Sequence, residues 1–458
     1  MRRTSNLIPL LSVALALGAG SMARAQPAGP PGAPVAQPPA AAATATTPPT
    51  AATPPTAATP VAPATAATAA TPVASSTAAT PVAPSMPPTA ATPTEAASKE
   101  APPPLVLGGY VEAFYQWNFN RPSNGLTNFR GFDNRHNAFT LSNVALDARW
   151  DQERLIGRLT LQFGHTPSTY YLAEPVSPGA GGANDSGIEL WKYLQQAYAG
   201  YQFGERKGLT VAAGLFLSPI GPEGMAVKDN WLWSRSNLFF GLPFYHTGAR
   251  VTYTLSDTWA ATLAAYNGWN SVVDNNEEKS LSAQLTYTGP ELALSFLYFG
   301  GVERAKGAPE GRAWRHLFDA YGTWKATSWL SLIVHGNSGF EVNEFGTSSW
   351  TAGALYGRFR LEKRLFLALR GDGFREVRGK NGAGQADALF WPAPWVSSGA
   401  ATLDFQPHER ASFRLEVRHD RAGGEMFFGG TVPATEAPPA APNRRAQNTA
   451  TLGLTTWF

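Results

Sequence analysis

The chain has 458 residues, including 45 Gly, 38 Pro and 14 Trp, with charged residues at 15% and aromatics at 12%. A formal net charge of +3, not gathered into one block, leaves nucleic-acid binding without an electrostatic footprint. Cys is absent, which removes disulfides, thiolate metal sites, Cys nucleophiles and a lipid-modified N-terminal Cys, and the composition is thin in helix formers but rich in strand and turn residues.

Residues 1–25 read as an export signal. Arg2 and Arg3 precede an apolar run from Leu7 to Gly20, broken by Pro9 and Ser12, and Ala23 and Ala25 supply the small residues of a cleavage site. The paired arginines also fit a twin-arginine signal, but a chain bound for an outer membrane crosses unfolded, which favours the general secretory route. No later apolar stretch approaches the roughly 18 residues of a spanning helix.

Residues 26–104 are built almost wholly from Ala, Thr, Pro and Val, with loose repeats such as PPTAATP and TPVAP and no aromatic residue. Such a segment cannot bury a core and reads as disordered. Fully extended at a polyproline rise it spans about 240 Å. It fits a periplasmic linker or arm touching peptidoglycan or a partner, a glycosylated stalk, or an inert spacer.

From Leu105 to the end the sequence becomes a series of short alternating segments separated by turn signals. Sixteen strands are expected, near 105–119, 136–150, 154–164, 190–203, 208–217, 242–254, 258–268, 279–288, 291–300, 314–325, 328–338, 348–361, 363–374, 396–406, 409–421 and 446–458. Short connections, such as Asp151-Gln152-Glu153, Leu255-Ser256-Asp257, Gly289-Pro290 and Pro407-His408, alternate with longer ones, the shortest of these near 269–278 and 339–347. Alternation of that kind puts all turns at one end of a meander and all loops at the other, as in outer-membrane barrels.

The faces agree with this arrangement. In the third segment Leu155, Leu159, Leu161 and Phe163 alternate with Arg158, Thr160 and Gln162, and in the fifteenth Phe413, Leu415 and Val417 alternate with Arg414, Glu416 and Arg418. A soluble sandwich also alternates, but it has no reason to gather long loops at one end. An open sheet in hydrocarbon leaves unpaired edge amides, so the sheet must close. The expected fold is therefore all-β: a closed up-and-down antiparallel transmembrane β-barrel of about sixteen strands over residues 105–458. An aromatic girdle is expected from Tyr110, Tyr115, Trp117, Trp150, Tyr201, Tyr253, Trp259, Trp324, Trp329 and Trp457.

The stretches GLFLSPIGPEG, DNWLWSRSNLFFGLPFYHTGARVTY and AAYNGWNSVVDNNEEKSLSAQLTY, with GGYVEAFYQWNFNRPSNGLTNFRGFDNRHNAFTLSNVALD before them and LALRGDGF, SFRLEVRHD and AQNTATLGLTTWF after, resemble the OmpL-like outer-membrane β-barrel porin family. The resemblance covers essentially residues 105–458 and leaves out the Ala/Thr/Pro arm. It implies a pore-forming outer-membrane protein with no catalytic residues to carry over. One departure is Gly371-Asp372-Gly373, where the family leads one to expect a Glu beside the aromatic. The final Leu454, Trp457 and Phe458 look like the assembly signal of such barrels.

By parity the lumen receives Glu112, Arg149, Arg158, Arg250, Asp319, Arg358, Arg360, Arg370, Asp372, Arg414, Glu416 and Arg418. A predominance of arginine suggests a weak preference for anions; pairing between neighbouring arginines and carboxylates would cancel it. The third long loop, Ser218 to Gly241, carries Glu223, Lys228, Asp229 and Arg235 with Trp231 and Trp233, and is the candidate constriction; the alternative is a loop lying across the rim.

Asp229-Asn230 and Asp274-Asn275-Asn276-Glu277-Glu278 cluster oxygens but lack a Gly-anchored calcium loop, and the seven His have no zinc spacing. No metal or cofactor is expected. Ser168 near His165 and Ser234 near His246 are nucleophile and base candidates without a motif, so enzymatic activity is not expected. The function expected is passive diffusion of small hydrophilic solutes or ions through an outer-membrane porin; the alternative is a structural or adhesive barrel held to the cell wall by its Pro-rich arm. Partners implied are outer-membrane lipid and lipopolysaccharide, the barrel assembly machinery, small solutes and peptidoglycan through residues 26–104, and a homotrimer is compatible with this reading.

Overall fold

The structure, a computed structural model, describes residues 105–170, 174, 191–204, 208–274, 276–433 and 440–458. The export signal and the Ala/Thr/Pro-rich arm lie outside these described residues.

All sixteen expected strands are present, with two short ones in addition. In chain order they are β1 (Leu105–Asn118), β2 (Ala138–Gln152), β3 (Leu155–Phe163), β4 (Leu194–Phe203), β5 (Leu209–Leu217), β6 (Tyr245–Thr254), β7 (Trp259–Tyr266), β8 (Ser280–Thr288), β9 (Leu292–Val302), β10 (Trp314–Lys325), β11 (Leu330–Asn343), β12 (Gly346–Glu362), β13 (Leu365–Val377), β14 (Lys380–Asn381), β15 (Gly384–Gln385), β16 (Trp395–His408), β17 (Ala411–Ala422) and β18 (Ala446–Trp457). Every strand except the β14–β15 hairpin joins one closed antiparallel barrel, in which β13 pairs with β16 and β1 closes on β18. Closure leaves no edge amide without a partner in hydrocarbon.

The chain end completes this seam. Tyr110 lies opposite Trp457 and Phe114 opposite Gly453. Beyond them the Phe458 N–H donates to the Gly109 carbonyl at 3.1 Å, and the Gly109 N–H donates to the Phe458 carbonyl at 3.3 Å. A Cβ at Gly109 would overlap the Phe458 ring, so glycine makes room for the last aromatic on the outer face. Leu452, Leu454 and Phe458 are exposed there, whereas Thr451, Gly453 and Thr455 point inward.

The expected period-two pattern holds around the barrel. In β17 Phe413, Leu415 and Val417 are exposed on the lipid side, while Ser412, Arg414, Glu416, Arg418 and Asp420 are buried on the inner side. Eight of the ten girdle aromatics, all but Tyr110 and Trp457, sit at outward positions or in a turn. Tyr110 and Trp457 are corrections. Both have inward parity at the seam, where they pack with Ala145 and Ala226 inside the barrel instead of meeting the membrane interface.

Strand ends shift by a few residues from expectation. The β2–β3 turn is Glu153-Arg154, with Glu153 at φ 55°, and the β16–β17 turn is Glu409-Arg410 because β16 continues to His408 past an irregularity after Phe405. One expected loop is absent. Near 339–347 the polar-in, apolar-out alternation continues through Glu341 and Val342, so β11 and β12 extend until only Glu344-Phe345 connects them. The alternation of short and long connections breaks at that hairpin.

Candidate channel and its internal loop

The connection between β5 and β6 enters the barrel. Irregular backbone at membrane depth has no water to satisfy its amides and carbonyls, so the protein must supply their partners. Those partners come from charged inward residues of distant strands. Glu112 on β1 accepts from the Val227 N–H at 2.5 Å, and Glu416 on β17 accepts from the Trp233 N–H at 2.7 Å and the Ser234 N–H at 3.1 Å. Asp372 on β13 accepts from the Asn237 N–H at 3.2 Å and its side-chain amide at 2.7 Å, and Asp319 on β10 accepts from the Gly221 N–H at 3.2 Å.

The carbonyls of the same loop take the arginines. Arg414 donates to Val227 O at 2.9 Å and Leu232 O at 3.1 Å, Arg370 donates to Ser234 O at 2.5 Å, and Arg418 donates to Arg235 O. Arg370 also pairs with Glu223 at 3.3 Å and with Asp372 at 3.1 Å, its side chain fully enclosed. Asp319 is held in turn by His335 at 2.7 Å. The seven expected lumen residues Glu112, Asp319, Arg370, Asp372, Arg414, Glu416 and Arg418 are thus gathered around one loop and shielded by it.

Internal contacts give the loop its shape. The Asn230 side chain closes a turn on Gly224, accepting from its N–H at 2.8 Å and donating to its carbonyl at 2.9 Å. Glu223 accepts from the Ser236 N–H at 3.0 Å, and Ser236 caps the short helix α1 (Asn237–Phe240) through the Phe239 N–H at 3.3 Å. Arg235 donates to Trp233 O at 3.1 Å and lies 5.0 Å from the Phe132 ring centroid. Lys228 and Asp229 pair at 2.7 Å at the tip, half-buried. Apolar contact completes the docking: Trp231, Leu232 and Leu238 join Phe299, Trp350 and Phe374 of the wall in one buried cluster.

The remaining expected lumen residues divide by position. Arg158 donates to Asp147 at 2.7 Å, and Arg358 lies 3.5 Å from Asp404 and 4.0 Å from the Phe366 ring centroid. Arg250 lies over Phe216 at 4.2 Å and Tyr198 at 5.2 Å. Arg149 and Arg360 share the inward parity but stand exposed near the turn ends of β2 and β12, where the wall no longer encloses them. Because most of the arginines are bonded to carboxylates or loop carbonyls, a ring of free positive charge is not what the lumen presents.

Other inward groups escaped the sequence reading. Glu376 accepts from the Leu389 N–H at 2.7 Å and the Phe390 N–H at 3.0 Å, and ties the 378–394 connection to β13. Its inward parity was legible, but the strand was expected to end at 374. In the β1–β2 connection Arg130 pairs with Asp133 and, at 3.5 Å, with Asp420. Burial alone would raise the Asp133 carboxyl, but the Arg130 guanidinium outweighs it and holds Asp133 below the usual carboxylate range. Gly453 among inward threonines is a sequence signal of the loop's close approach.

The oxygen-rich turns are occupied by local bonds: Asp274 pairs with Lys279 and accepts from the Asn276 N–H at 3.0 Å, Glu277 pairs with Lys306 at 3.1 Å, and Glu278 pairs with Arg312. Neither nucleophile and base pair meets. Ser234 Oγ faces Arg370 at 3.2 Å while His246 bonds Ser218 Oγ at 3.2 Å, and His165 bonds Asn134 at 2.6 Å while Ser168 is exposed.

No match to the sequence was found among curated proteins. Among solved structures, OmpT, an outer membrane protein of Vibrio cholerae, is 10% identical and covers 77% of this chain and 97% of its own at a TM-score of 0.48. The outer membrane channel DcaP of Acinetobacter baumannii is 12% identical, with coverage of 77% and 97% and a TM-score of 0.47. The anion-selective porin from Comamonas acidovorans is 11% identical, with coverage of 77% and 99% and a TM-score of 0.47. The family described as "Putative beta-barrel porin-2, OmpL-like" matches residues 104–458, the whole of the closed barrel with its internal loop, and the chain belongs to that family.

Proposed function

We propose that this outer-membrane porin carries small hydrophilic solutes or ions by passive diffusion through a lumen narrowed by Ser218–Gly241. The observation that carries the reading is the strapping of that loop to Glu112, Asp372, Arg414 and Glu416 inside a closed barrel. Passage runs beside the loop, along the wall of β3 to β9. Inward Tyr198, Thr252, Thr262 and Thr286, toward the short-turn side of these strands, are half-exposed, whereas Thr160, Ala212, Gln284 and Phe299 farther along them are enclosed. The charged side chains of those strands are Arg158 and Arg250, which supports a weak preference for anions.

The test is conductance of the refolded chain in a planar bilayer under a salt gradient. Stepwise channels with an anion-side reversal potential are expected, and deletion of Lys228–Arg235 should raise the conductance of each step. A folded barrel that stays silent with and without the deletion would remove the reading. The enclosure of Arg370, Arg414, Glu416 and Arg418 favours a second reading, a structural or adhesive barrel with a permanently filled lumen. In either case residues 1–25 serve as the export signal, residues 26–104 as a periplasmic arm reaching peptidoglycan, and Leu454, Trp457 and Phe458 as the signal read by the assembly machinery, with lipopolysaccharide around the barrel and a homotrimer as its assembly.

A further inference from the structure

The charge on the barrel wall is distributed unevenly. The seven consecutive strands β3 to β9 contain no Asp or Glu, whereas β10 to β17 supply the inward Asp319, Glu341, Asp372, Glu376, Asp404, Glu416 and Asp420. Within the acid-free half, Arg158 is neutralised by Asp147 across β2 and β3. Arg250 is not. Among the described residues it has neither a carboxylate partner nor a hydrogen-bond acceptor; its guanidinium lies 4.2 Å from the Phe216 ring centroid and 5.2 Å from that of Tyr198.

A guanidinium laid against aromatic rings keeps its edge, and so its fork of N–H donors, directed away from them. That edge matches the two oxygens of a carboxylate in plane. Next to it on the inner face stand Thr252 and Thr262, whose hydroxyls bond each other at 2.9 Å and present a small polar floor. Arg250 and these threonines are half-exposed, so the group is reachable from the part of the lumen that the internal loop leaves uncovered.

We infer that Arg250, held on Phe216 and Tyr198, is a binding subsite for small organic monocarboxylates in transit, an inference that rests on the porin reading only for the transit. One unpartnered guanidinium recognises one carboxylate. With no anionic side chain on the surrounding strands to compete for the guanidinium, the site concentrates the solute beside the loop.

Benzoate is the probe, and two measurements on the full refolded chain separate the site from the channel. Equilibrium dialysis of benzoate against the barrel in detergent should show saturable binding, weakened at least tenfold in Arg250→Gln, less in Arg250→Lys, and unaltered in the external-loop variant Arg312→Gln. Single-channel chloride current in a bilayer should fall saturably with benzoate, and Arg250→Gln should lose that block by the same factor. Heat-modifiable gel migration checks that each variant folds. Equal benzoate binding by Arg250→Gln and the parent, or open channels that bind no benzoate, would overturn the site while leaving the porin intact. Binding by a barrel that never conducts would keep the site and remove the porin reading.

Discussion

The indole of Trp233 lies against the backbone of Gly453, on the inner face of the strand that closes the barrel. A Cβ at Gly453 would overlap the six-membered ring of Trp233, and Phe114 on the neighbouring strand contacts the same indole with ring centroids 5.9 Å apart. The residue that seals the wall is therefore also the seat of the loop that fills it. This contact joins residues 220 positions apart in a chain whose strands, the β1–β18 seam excepted, pair with near neighbours, and it explains why an inward row of threonines is interrupted by a glycine.

Substituting Gly453 should release the loop without opening the barrel. Overpacking of a fitted contact costs about 1–3 kcal/mol. Gly453→Leu is expected to raise trypsin cleavage after Lys228 and Arg235 severalfold and to raise single-channel conductance, while heat-modifiable migration of the barrel persists. Unchanged cleavage and conductance would mean that the seat is not needed to hold the loop.

The Glu416 carboxylate holds two successive loop amides and also accepts from Thr402 Oγ1 at 2.8 Å. Hydrogen bonds to a charged acceptor contribute roughly 1.5–3 kcal/mol each. Glu416→Gln should therefore loosen the loop tip, seen as faster amide exchange at Trp233 and Ser234 by at least tenfold. Exchange as slow as in the parent would show that the loop is held elsewhere.

Phe458 acts at the seam through two backbone bonds that any residue can make and one ring that rests on Gly109. If the ring is read during assembly, Phe458→Ala should lower the amount of folded barrel in cells several-fold while the refolded protein conducts like the parent. Equal losses in cells and in refolding would assign the ring to stability instead.

The β1–β2 connection should be sensitive to acid. The folded Asp133 carboxyl titrates below its unfolded counterpart, so the stability it contributes is complete above the unfolded value of about 3.9 and is lost as pH falls through the folded value. Amide exchange near Asp133 is expected to stay slow at pH 5 and to quicken below pH about 4. Asp133→Asn should be quick already at neutral pH and lose that dependence.

Much of this protein is legible without coordinates because a barrel strand encodes its orientation locally. Alternating side chains assign Phe413, Leu415 and Val417 to lipid and Arg414, Glu416 and Arg418 to the interior with no knowledge of what lies across the lumen. Local reading failed where a boundary depends on context. It stopped the eleventh strand at 338 although the alternation continues to Asn343, and it placed Tyr110 and Trp457 in the girdle because they are aromatics near strand ends.

What the sequence alone determined is the wall: strand number, which face meets the membrane, and the closing segment, all consequences of a period of two and of short turns between neighbours. Only the tertiary structure decided the lumen. Parity delivers Arg250 and Arg414 to the same interior, yet Arg414 is spent on the carbonyls of Val227 and Leu232 while Arg250 rests on aromatic rings, its donors without an acceptor among the described residues. The difference arises because the loop's irregular backbone must find its partners among side chains far away in sequence, and no local pattern records which of them it reaches.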